Sequence, residues 1–169
     1  MNTSILDLQI LKKNIQQWAL ELGFADCKIT DLDLSAYHDN FLEWLENNYH
    51  GEMHYMAKHG RKRLYPDELI PGTLRAIVVR MNYAPSQAPR GEDKKDPKKA
   101  DISYYARGRD YHKVLKSKLK KLQEQILQHC PQSQHRPFVD SGPVLEKPLA
   151  EKAGLGWIGK NTLLINKKE

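Results

Sequence analysis

Apolar residues recur at helical spacing in four parts of the chain. In the first part they stand three or four positions apart and precede Gly23, which predicts an amphipathic helix that ends there. Those apolar residues are Leu8, Leu11, Ile15, Trp18 and Leu22. Comparable patterns predict three further helices. The four predicted helices cover residues 4–22, 37–49, 110–129 and 145–153.

Short apolar segments between the helices predict β-strands over 24–30, 75–84, 138–139 and 161–166. The run from Ala76 to Val79 is the longest without a polar residue, so we expect this strand to be buried on both faces of a sheet. Helices and strands alternate without an internal repeat, which predicts an α/β (α+β) fold with a mixed β-sheet covered by helices. A chain of 169 residues is expected to form a single domain, 1–169.

Composition excludes several classes of protein. The chain is 40% hydrophobic and 28% charged, and it has no apolar run near the roughly 20 residues that a membrane span needs. Its first residues lack the basic and then apolar regions of an export signal. Cys27 and Cys130 stand far apart, so we expect free thiols, a cytoplasmic location and no contact with a membrane.

Positive charge is concentrated in one part of the sequence. The net charge is +6, whereas residues 85–121 alone carry +7. Within this part, residues 85–100 hold three prolines, eight charges and no large apolar side chain, which predicts a mobile insertion. The charge is explained equally well by a polyanionic partner and by a solvated, lysine-rich helix face beside a mobile loop.

Residues 103–112 place three tyrosines, two arginines and one histidine at the start of the basic helix. Aromatic rings and guanidinium groups are what base stacking and phosphate pairing require, although ordinary packing could use half of them. Arg107, Arg109 and the nearby Lys113 are therefore candidate RNA contacts.

The segment 154–161 (GLGWIGKN) has three glycines in six residues. It satisfies G-x-G-x-x-G and nearly satisfies G-x-x-x-x-G-K-[ST], but nucleotide loops of both kinds follow a strand and open a helix. Here the predicted helix precedes the loop and the strand follows it. The glycines indicate either a backbone that lies close to a large ligand or a helix cap with a tight turn.

Asp140 follows an apolar segment and precedes a turn. A carboxyl at such a strand end is expected to be partly desolvated, which favours its protonated form and suits a proton donor, although a turn-capping aspartate is the commoner role. Glu146 and Glu151 are interpreted as solvated acids at either end of a short helix. His50 and His54 do not complete the H-E-x-x-H arrangement of zinc hydrolases.

Five stretches together resemble the N-terminal, cobalamin-binding part of the tRNA epoxyqueuosine reductase family. They are 51–56 (GEMHYM), Arg63 with 69–72 (LIPG), 105–112 (YARGRDYH), 138–143 (FVDSGP) and 150–161 (AEKAGLGWIGKN). The resemblance implies the last step of queuosine synthesis, in which epoxyqueuosine in the anticodon loop of a tRNA with a GUN anticodon is reduced to queuosine. Cobalamin would carry the redox chemistry and two [4Fe-4S] clusters would deliver electrons.

The resemblance also implies roles for individual residues. Asp140 corresponds to the family's proton donor. The implied corrinoid contacts are Arg63, Ser103, Asp140, Gly159, Lys160 and Asn161. Arg107, Arg109 and Lys113 would face the tRNA, and the protein is expected to be a monomer.

One departure from the family is the set of cysteines. Two isolated cysteines cannot ligate an iron-sulfur cluster, so the chain is expected to be a truncated or split member that lacks the ferredoxin-like domain. It would need a separate iron-sulfur domain or an external reductase. Two alternatives stay open at this point: a catalytically inert tRNA-binding or corrinoid-binding module, and a broken remnant of a gene.

Overall fold

The computed structural model describes residues 7–83, 98, 100 and 102–167. The helices are α1 (Leu8–Glu21), α2 (His38–Glu46), α3 (Tyr55–Lys58), α4 (Gly60–Leu64), α5 (Pro66–Leu69), α6 (Tyr111–His129) and α7 (Glu146–Lys152). The strands are β1 (Asp26–Thr30), β2 (Ala76–Arg80), β3 (Trp157–Ile158) and β4 (Leu164–Ile165). Single 3-10 turns cover Ser35–Tyr37 and Tyr104–Ala106. None of the described helices is long and apolar enough to cross a membrane.

The core lies where α1 and α6 pack against the sheet formed by β1 and β2. Its buried members are Ile15 and Ala19 on α1, Phe24 just before β1, Cys27 on β1, and Leu122 and Ile126 on α6, whereas β2 contributes the partly buried Ile77 and Val79. The apolar stripes predicted for the first and third helices supply three of these six residues, Ile15, Leu122 and Ile126, which confirms both helices. Leu8 is an exception, because 69% of its surface is exposed at the start of α1.

Helix ends follow local signals in the sequence. The side chain of Asp7 accepts hydrogen bonds from the backbone N–H groups of Gln9 and Ile10, which satisfies donors that the first turn of α1 leaves free. Gly154 follows α7 with φ of 79°, a conformation that glycine adopts without strain. The helix predicted from residue 4 instead begins at Leu8, because Asp7 is extended and caps it. Residues 4–6 lie outside the described residues, as does the predicted insertion 85–100 apart from Lys98 and Ala100.

The α+β class is confirmed, and its strands are divided between two small sheets. β1 pairs antiparallel with β2, from Asp26 opposite Arg80 to Thr30 opposite Ala76, and β3 pairs antiparallel with β4. β2 is half-buried along its length, so the expected burial on both faces is wrong. Part of β2 lines a groove of about 510 Å³, together with residues of α5, α6, α7 and the segment 134–138.

The strand predicted over 138–139 is absent from the described structure. Phe138 and Val139 are half-buried, yet the chain bends at Val139 and the phenyl ring folds back over Gly142, where a Cβ atom would collide with it. Hydrophobic residues in a short segment predict burial correctly but cannot distinguish a strand from a buried turn.

Candidate functional site

The first turn of α6 and the turn at Asp140 form a compact polar site. The Tyr111 hydroxyl donates a hydrogen bond to Asp140 Oδ2, and His112 Nε2 lies 3.7 Å from the same oxygen. The hydrogen bond to Asp140 is the main reason that the pKa of Tyr111 is raised to about 12. A phenol and an imidazole therefore converge on one oxygen atom of the Asp140 carboxyl.

Asp110 orients this first turn. Its side chain accepts from the backbone N–H of His112 and also lies 2.9 Å from His112 Nδ1. These contacts lower the pKa of the Asp110 carboxyl, with the side-chain contact as the largest cause. His112 is thus held at Nδ1 by Asp110 and presents Nε2 to Asp140, an arrangement that fixes the ring orientation.

Asp140 has an unusual backbone conformation. Its φ is 54°, in the left-handed region that aspartate adopts more readily than most residues but at some cost. The N–H of Ser141 donates to the carbonyl of Val139 at 2.6 Å, which closes a γ-turn around Asp140. The side chain of Asp140 is 55% exposed, so the expected desolvation is wrong: the turn projects the carboxyl outward.

Glu146 is the desolvated carboxyl of this region. It is the first residue of α7, and its Oε1 accepts a hydrogen bond of 3.0 Å from the backbone N–H of Asp140. Burial is the main reason that the pKa of Glu146 is raised, and the nearby charge of Asp140 raises it further. The interpretation of Glu146 as a solvated acid is therefore wrong, because the side chain lies over the groove beside β2.

Glu151, near the other end of α7, is also not a free solvated acid. Its carboxylate accepts hydrogen bonds from the Tyr37 hydroxyl at 2.6 Å and from the backbone N–H of Ile158 at 2.7 Å. These donors favour the charged form and lower the pKa of Glu151. Glu151 consequently ties the hairpin of β3 and β4 to α7.

The three glycines are explained by this hairpin. Gly154 ends α7, Gly156 lies against the backbone carbonyl of Ile165, and a Cβ atom at Gly159 would come within 2.6 Å of the Ile165 side chain. A helix cap and tight packing between β3 and β4 therefore account for all three positions. The nucleotide-loop geometry is absent here, since a strand and not a helix follows Gly156.

Lys147 joins the tip of the hairpin to the N-terminal end of α7. Its Nζ donates to the carbonyl of Thr162 at 2.7 Å. Lys160 and Asn161 are exposed in this tip. Helix α7 thereby holds both the Asp140 turn, through Glu146, and the glycine hairpin, through Lys147 and Glu151.

Arg63 on α4 is the most notable of the other predicted cofactor contacts. It is only 7% exposed, its Nη2 donates to the carbonyl of Tyr55, and its buried Nε has no hydrogen-bond partner among the described residues. Burial lowers the pKa of the guanidinium. Ser103 is exposed and precedes the 3-10 turn at Tyr104.

The predicted RNA contacts lie around the start of α6. Arg107 Nε donates to the carbonyl of Ile102 at 2.7 Å, and the guanidinium lies 4.2 Å from the centre of the Tyr104 ring. Arg109 and Lys113 are exposed on either side of the Tyr111–His112 pair. The lysines on the outer face of this helix are exposed: Lys113, Lys116, Lys120 and Lys121.

The described residues offer no site for an iron-sulfur cluster. They contain no group of three or more histidine, cysteine, aspartate or glutamate side chains that could hold a metal ion. Cys27 and Cys130 are buried and free, and burial raises the pKa of the Cys27 thiol to about 11. That thiol is protonated near neutral pH and is a poor metal ligand.

The fold and the site together define an α+β domain whose acidic turn faces the start of a basic helix. Residues 63–141 match the family described as Epoxyqueuosine reductase QueG, DUF1730. The chain is 57% identical over 163 residues to the epoxyqueuosine reductase of Salmonella typhimurium (strain LT2), covering 96% of this chain and 42% of that protein. The chain is therefore similar to epoxyqueuosine reductases over nearly its whole length.

Solved structures of epoxyqueuosine reductases share the fold of this chain. The epoxyqueuosine reductase of Streptococcus thermophilus has a TM-score of 0.79 and 30% sequence identity, covering 92% of this chain and 42% of that one. A second epoxyqueuosine reductase, solved with an epoxyqueuosine-modified tRNA-Tyr stem loop, has a TM-score of 0.71 at 21% identity, covering 94% and 42% of the two chains. The chain thus spans less than half the length of the relatives it matches.

Proposed function

We propose that this chain is the part of a tRNA epoxyqueuosine reductase that holds cobalamin and faces the tRNA, with Asp140 as the proton donor to the epoxide oxygen. The convergence of Tyr111 and His112 on Asp140 Oδ2 is the observation that carries the proposal. Removal of an epoxide oxygen requires electrons and protons, and a positioned acid accelerates such a step.

Each member of this polar site has a distinct task in the proposal. Asp140 holds the proton that passes to the departing oxygen, and the exposure of its carboxyl leaves it accessible to a bulky nucleoside. Tyr111 orients the carboxyl by donating to Oδ2. His112, itself oriented by Asp110, is placed to return a proton to Asp140 after the reaction.

The residues implied to hold cobalamin include one that fits such a ligand on physical grounds. Arg63 carries a buried N–H without a partner among the described residues, and a buried donor of this kind costs free energy until an oxygen atom accepts from it. A phosphate or amide oxygen of cobalamin would satisfy it. Ser103, Gly159, Lys160 and Asn161, with Asp140, complete the proposed contacts. When bound, cobalamin supplies the redox chemistry at its cobalt.

Iron-sulfur clusters do not fit the described residues, so this chain contributes no ligands to them in the proposal. Electrons would reach the site from a separate iron-sulfur domain or a reductase. We propose that the chain acts in the cytoplasm as a monomer apart from that partner.

The proposed nucleic-acid partner is a tRNA with a GUN anticodon. The relative solved with a tRNA-Tyr stem loop supports a tRNA ligand. Arg107, Arg109 and Lys113 adjoin the Tyr111–His112 pair in sequence and are exposed, so phosphates bound there would bring the anticodon loop toward Asp140.

Cobalamin binding and turnover test the proposal in two stages. Adding the purified chain to cob(II)alamin is expected to change the visible spectrum of the corrin; no change at high protein concentration would contradict the cofactor assignment. With a chemical reductant and an epoxyqueuosine-containing stem loop, the wild type is expected to form queuosine. Asp140→Asn is expected to lower the rate by about 10² to 10⁴-fold, the usual contribution of a general acid.

Asp39→Asn is the matched control, since Asp39 is an exposed aspartate of α2 and is expected to leave turnover unchanged. Equal rates for Asp140→Asn and wild type would contradict the proton-donor role. Binding of cobalamin and RNA without any product would favour the second candidate, an inert binding module, which the absence of cluster ligands among the described residues supports.

The RNA-facing surface can be tested separately. Arg109→Gln with Lys113→Gln should weaken stem-loop binding and reduce the slope of log affinity against log salt by roughly 0.7 for each lost phosphate contact. Lys12→Gln with Lys13→Gln, on the exposed face of α1, makes the same change in charge and should have little effect. Equal losses for the two double variants would contradict a localised RNA surface.

A further inference from the structure

Asp140 is held from two directions. Its side chain contacts Tyr111 and His112 on α6, whereas its backbone N–H donates to Glu146 on α7. The two contacts act on different parts of the residue, so they have separable consequences. Losing the first frees the carboxyl, and losing the second frees the turn that carries it.

The turn at Asp140 needs such a restraint. Its γ-turn with positive φ is a conformation of high energy that surrounding contacts must maintain. Asp140 Oδ2 lies beyond Cα and Cβ, so a change in φ would swing the carboxyl away from the start of α6. The only acceptor for the Asp140 N–H among the described residues is Glu146 Oε1, at 3.0 Å.

The location of Glu146 is not that of a solvent-exposed surface acid. It is partly buried beside the groove next to β2, and the only hydrogen bond its carboxyl receives from the described residues is the one from Asp140. A buried carboxylate next to a second acid is unfavourable, which the raised pKa of Glu146 reflects. Such unfavourable arrangements are typical of functional sites.

We infer that Glu146 is a positioning residue: its carboxylate holds the backbone N–H of Asp140 and keeps the γ-turn in the conformation that directs the Asp140 carboxyl toward Tyr111 and His112. Glu146 touches neither substrate nor cofactor in this inference. Its effect on turnover rests on the proposed function, but its effect on the turn does not.

Amide hydrogen exchange in the 169-residue chain tests the effect on the turn. Glu146→Ala is expected to reduce the protection of the Asp140 amide by about tenfold, the loss expected for one hydrogen bond to a carboxylate. Glu146→Gln should restore most of it, because its amide oxygen can still accept. Glu124→Ala, an exposed acid of α6, is the matched control and should leave the Asp140 amide unchanged.

A titration of the wild type provides a test that needs no variant. As Glu146 becomes protonated, the Asp140 amide proton should move upfield with the same midpoint as the Glu146 carboxyl carbon. Among the described residues, the other titrating and charged groups around it are Arg75, Tyr111, His112, His135, Arg136 and Asp140, and the assigned carboxyl signals separate Glu146 from Asp140. An amide that follows only the Asp140 carboxyl, or unchanged protection in Glu146→Ala, would overturn the inference.

Turnover supplies the second measurement. With reductant and an epoxyqueuosine stem loop, Glu146→Ala should lower kcat by about tenfold at unchanged KM, and Glu146→Gln should recover most of it. If the wild type gives no product while the amide behaves as expected, the proposed function fails and the role in positioning stands. If turnover is normal in Glu146→Ala, the inference is wrong and the proposed function stands.

Discussion

The two ends of α7 each carry a glutamate, and their environments are opposite. At the C-terminal end Glu151 accepts hydrogen bonds from the Tyr37 hydroxyl and the Ile158 N–H, and its pKa is lowered. At the N-terminal end Glu146 has one donor, the Asp140 N–H, and its pKa is raised by burial and by a neighbouring acid. The carboxylate of Glu151 is therefore stabilised by its surroundings, whereas that of Glu146 is destabilised.

This difference separates structural from functional use of the same residue type. Glu151 joins three segments of the chain and contributes stability. The carboxyl of Glu146 is buried next to a second acid, Asp140, whose backbone is itself strained. Unfavourable burial and backbone strain of this kind are typical of functional sites. Substitution of Glu151 should therefore mainly lower stability, whereas substitution of Glu146 should mainly alter the Asp140 turn.

The largest expected effect on stability is at Glu151. Glu151→Ala should lower the free energy of unfolding by about 2 kcal/mol, because two hydrogen bonds to a charged acceptor are lost from a partly exposed site. Glu146→Ala should change it by less than about 1 kcal/mol, since removal of a buried charge offsets one lost hydrogen bond. Urea unfolding followed by circular dichroism measures the free energy of unfolding of both variants. Equal losses of stability would contradict the difference between the two ends of α7.

The next effect concerns the glycine that ends α7. Gly154→Ala should cost roughly 1 to 2 kcal/mol, because its φ of 79° is unfavourable for alanine although the space around it is open. Gly154→Asn is the matched variant and should lose less, since asparagine adopts this conformation more readily. Thermal unfolding measures the difference. An unaltered melting temperature in Gly154→Ala would contradict a left-handed conformation of residue 154 at the end of α7.

A smaller effect should reveal the strain at Asp140. Asp140→Gly and Asp140→Ala remove the same contacts to Tyr111 and His112, but only glycine is free of strain at φ of 54°. We expect the glycine variant to be more stable than the alanine variant by about 1 kcal/mol. In an unstrained turn glycine would be the less stable of the two, because it gives the unfolded chain more freedom, so the sign of the difference decides the matter.

The smallest expected effect is the pH dependence of stability, which should have opposite signs at the two glutamates. Glu151 has a lowered pKa in the folded chain, so its stabilisation is present above the ordinary value of 4.5 and is lost as the pH falls through the lowered pKa. Glu146 has a raised pKa, so its ionisation costs stability as the pH rises from 4.5 through the raised pKa.

Urea unfolding between about pH 3 and about pH 7 tests these signs. Relative to wild type, Glu146→Gln should become more stable as the pH rises, and Glu151→Gln should become less stable. Parallel curves for the two variants would contradict the opposite environments.

The regular elements could be predicted well from the sequence. Helical spacing of apolar residues predicted α6, whose inner face carries Leu115, Leu119, Leu122 and Ile126, and Gly23 and Gly154 marked the ends of α1 and α7. Such elements depend on residues a few positions apart, so their signals are local. The motifs around Asp140 and Tyr111 likewise drew attention to the two segments that meet at the site.

The surroundings of the acidic side chains were decided by the tertiary structure alone. The hydroxyl of Tyr37 reaches Glu151 from 114 residues away, and that of Tyr111 reaches Asp140 from 29 residues away. The sequence pattern therefore predicted a solvated Glu146 and a partly desolvated Asp140, whereas in the structure Glu146 is desolvated and Asp140 is exposed. Hydrophobic periodicity reports which face of an element is buried, whereas desolvation and hydrogen bonding of a carboxyl depend on what other segments bring to it, which no local pattern contains.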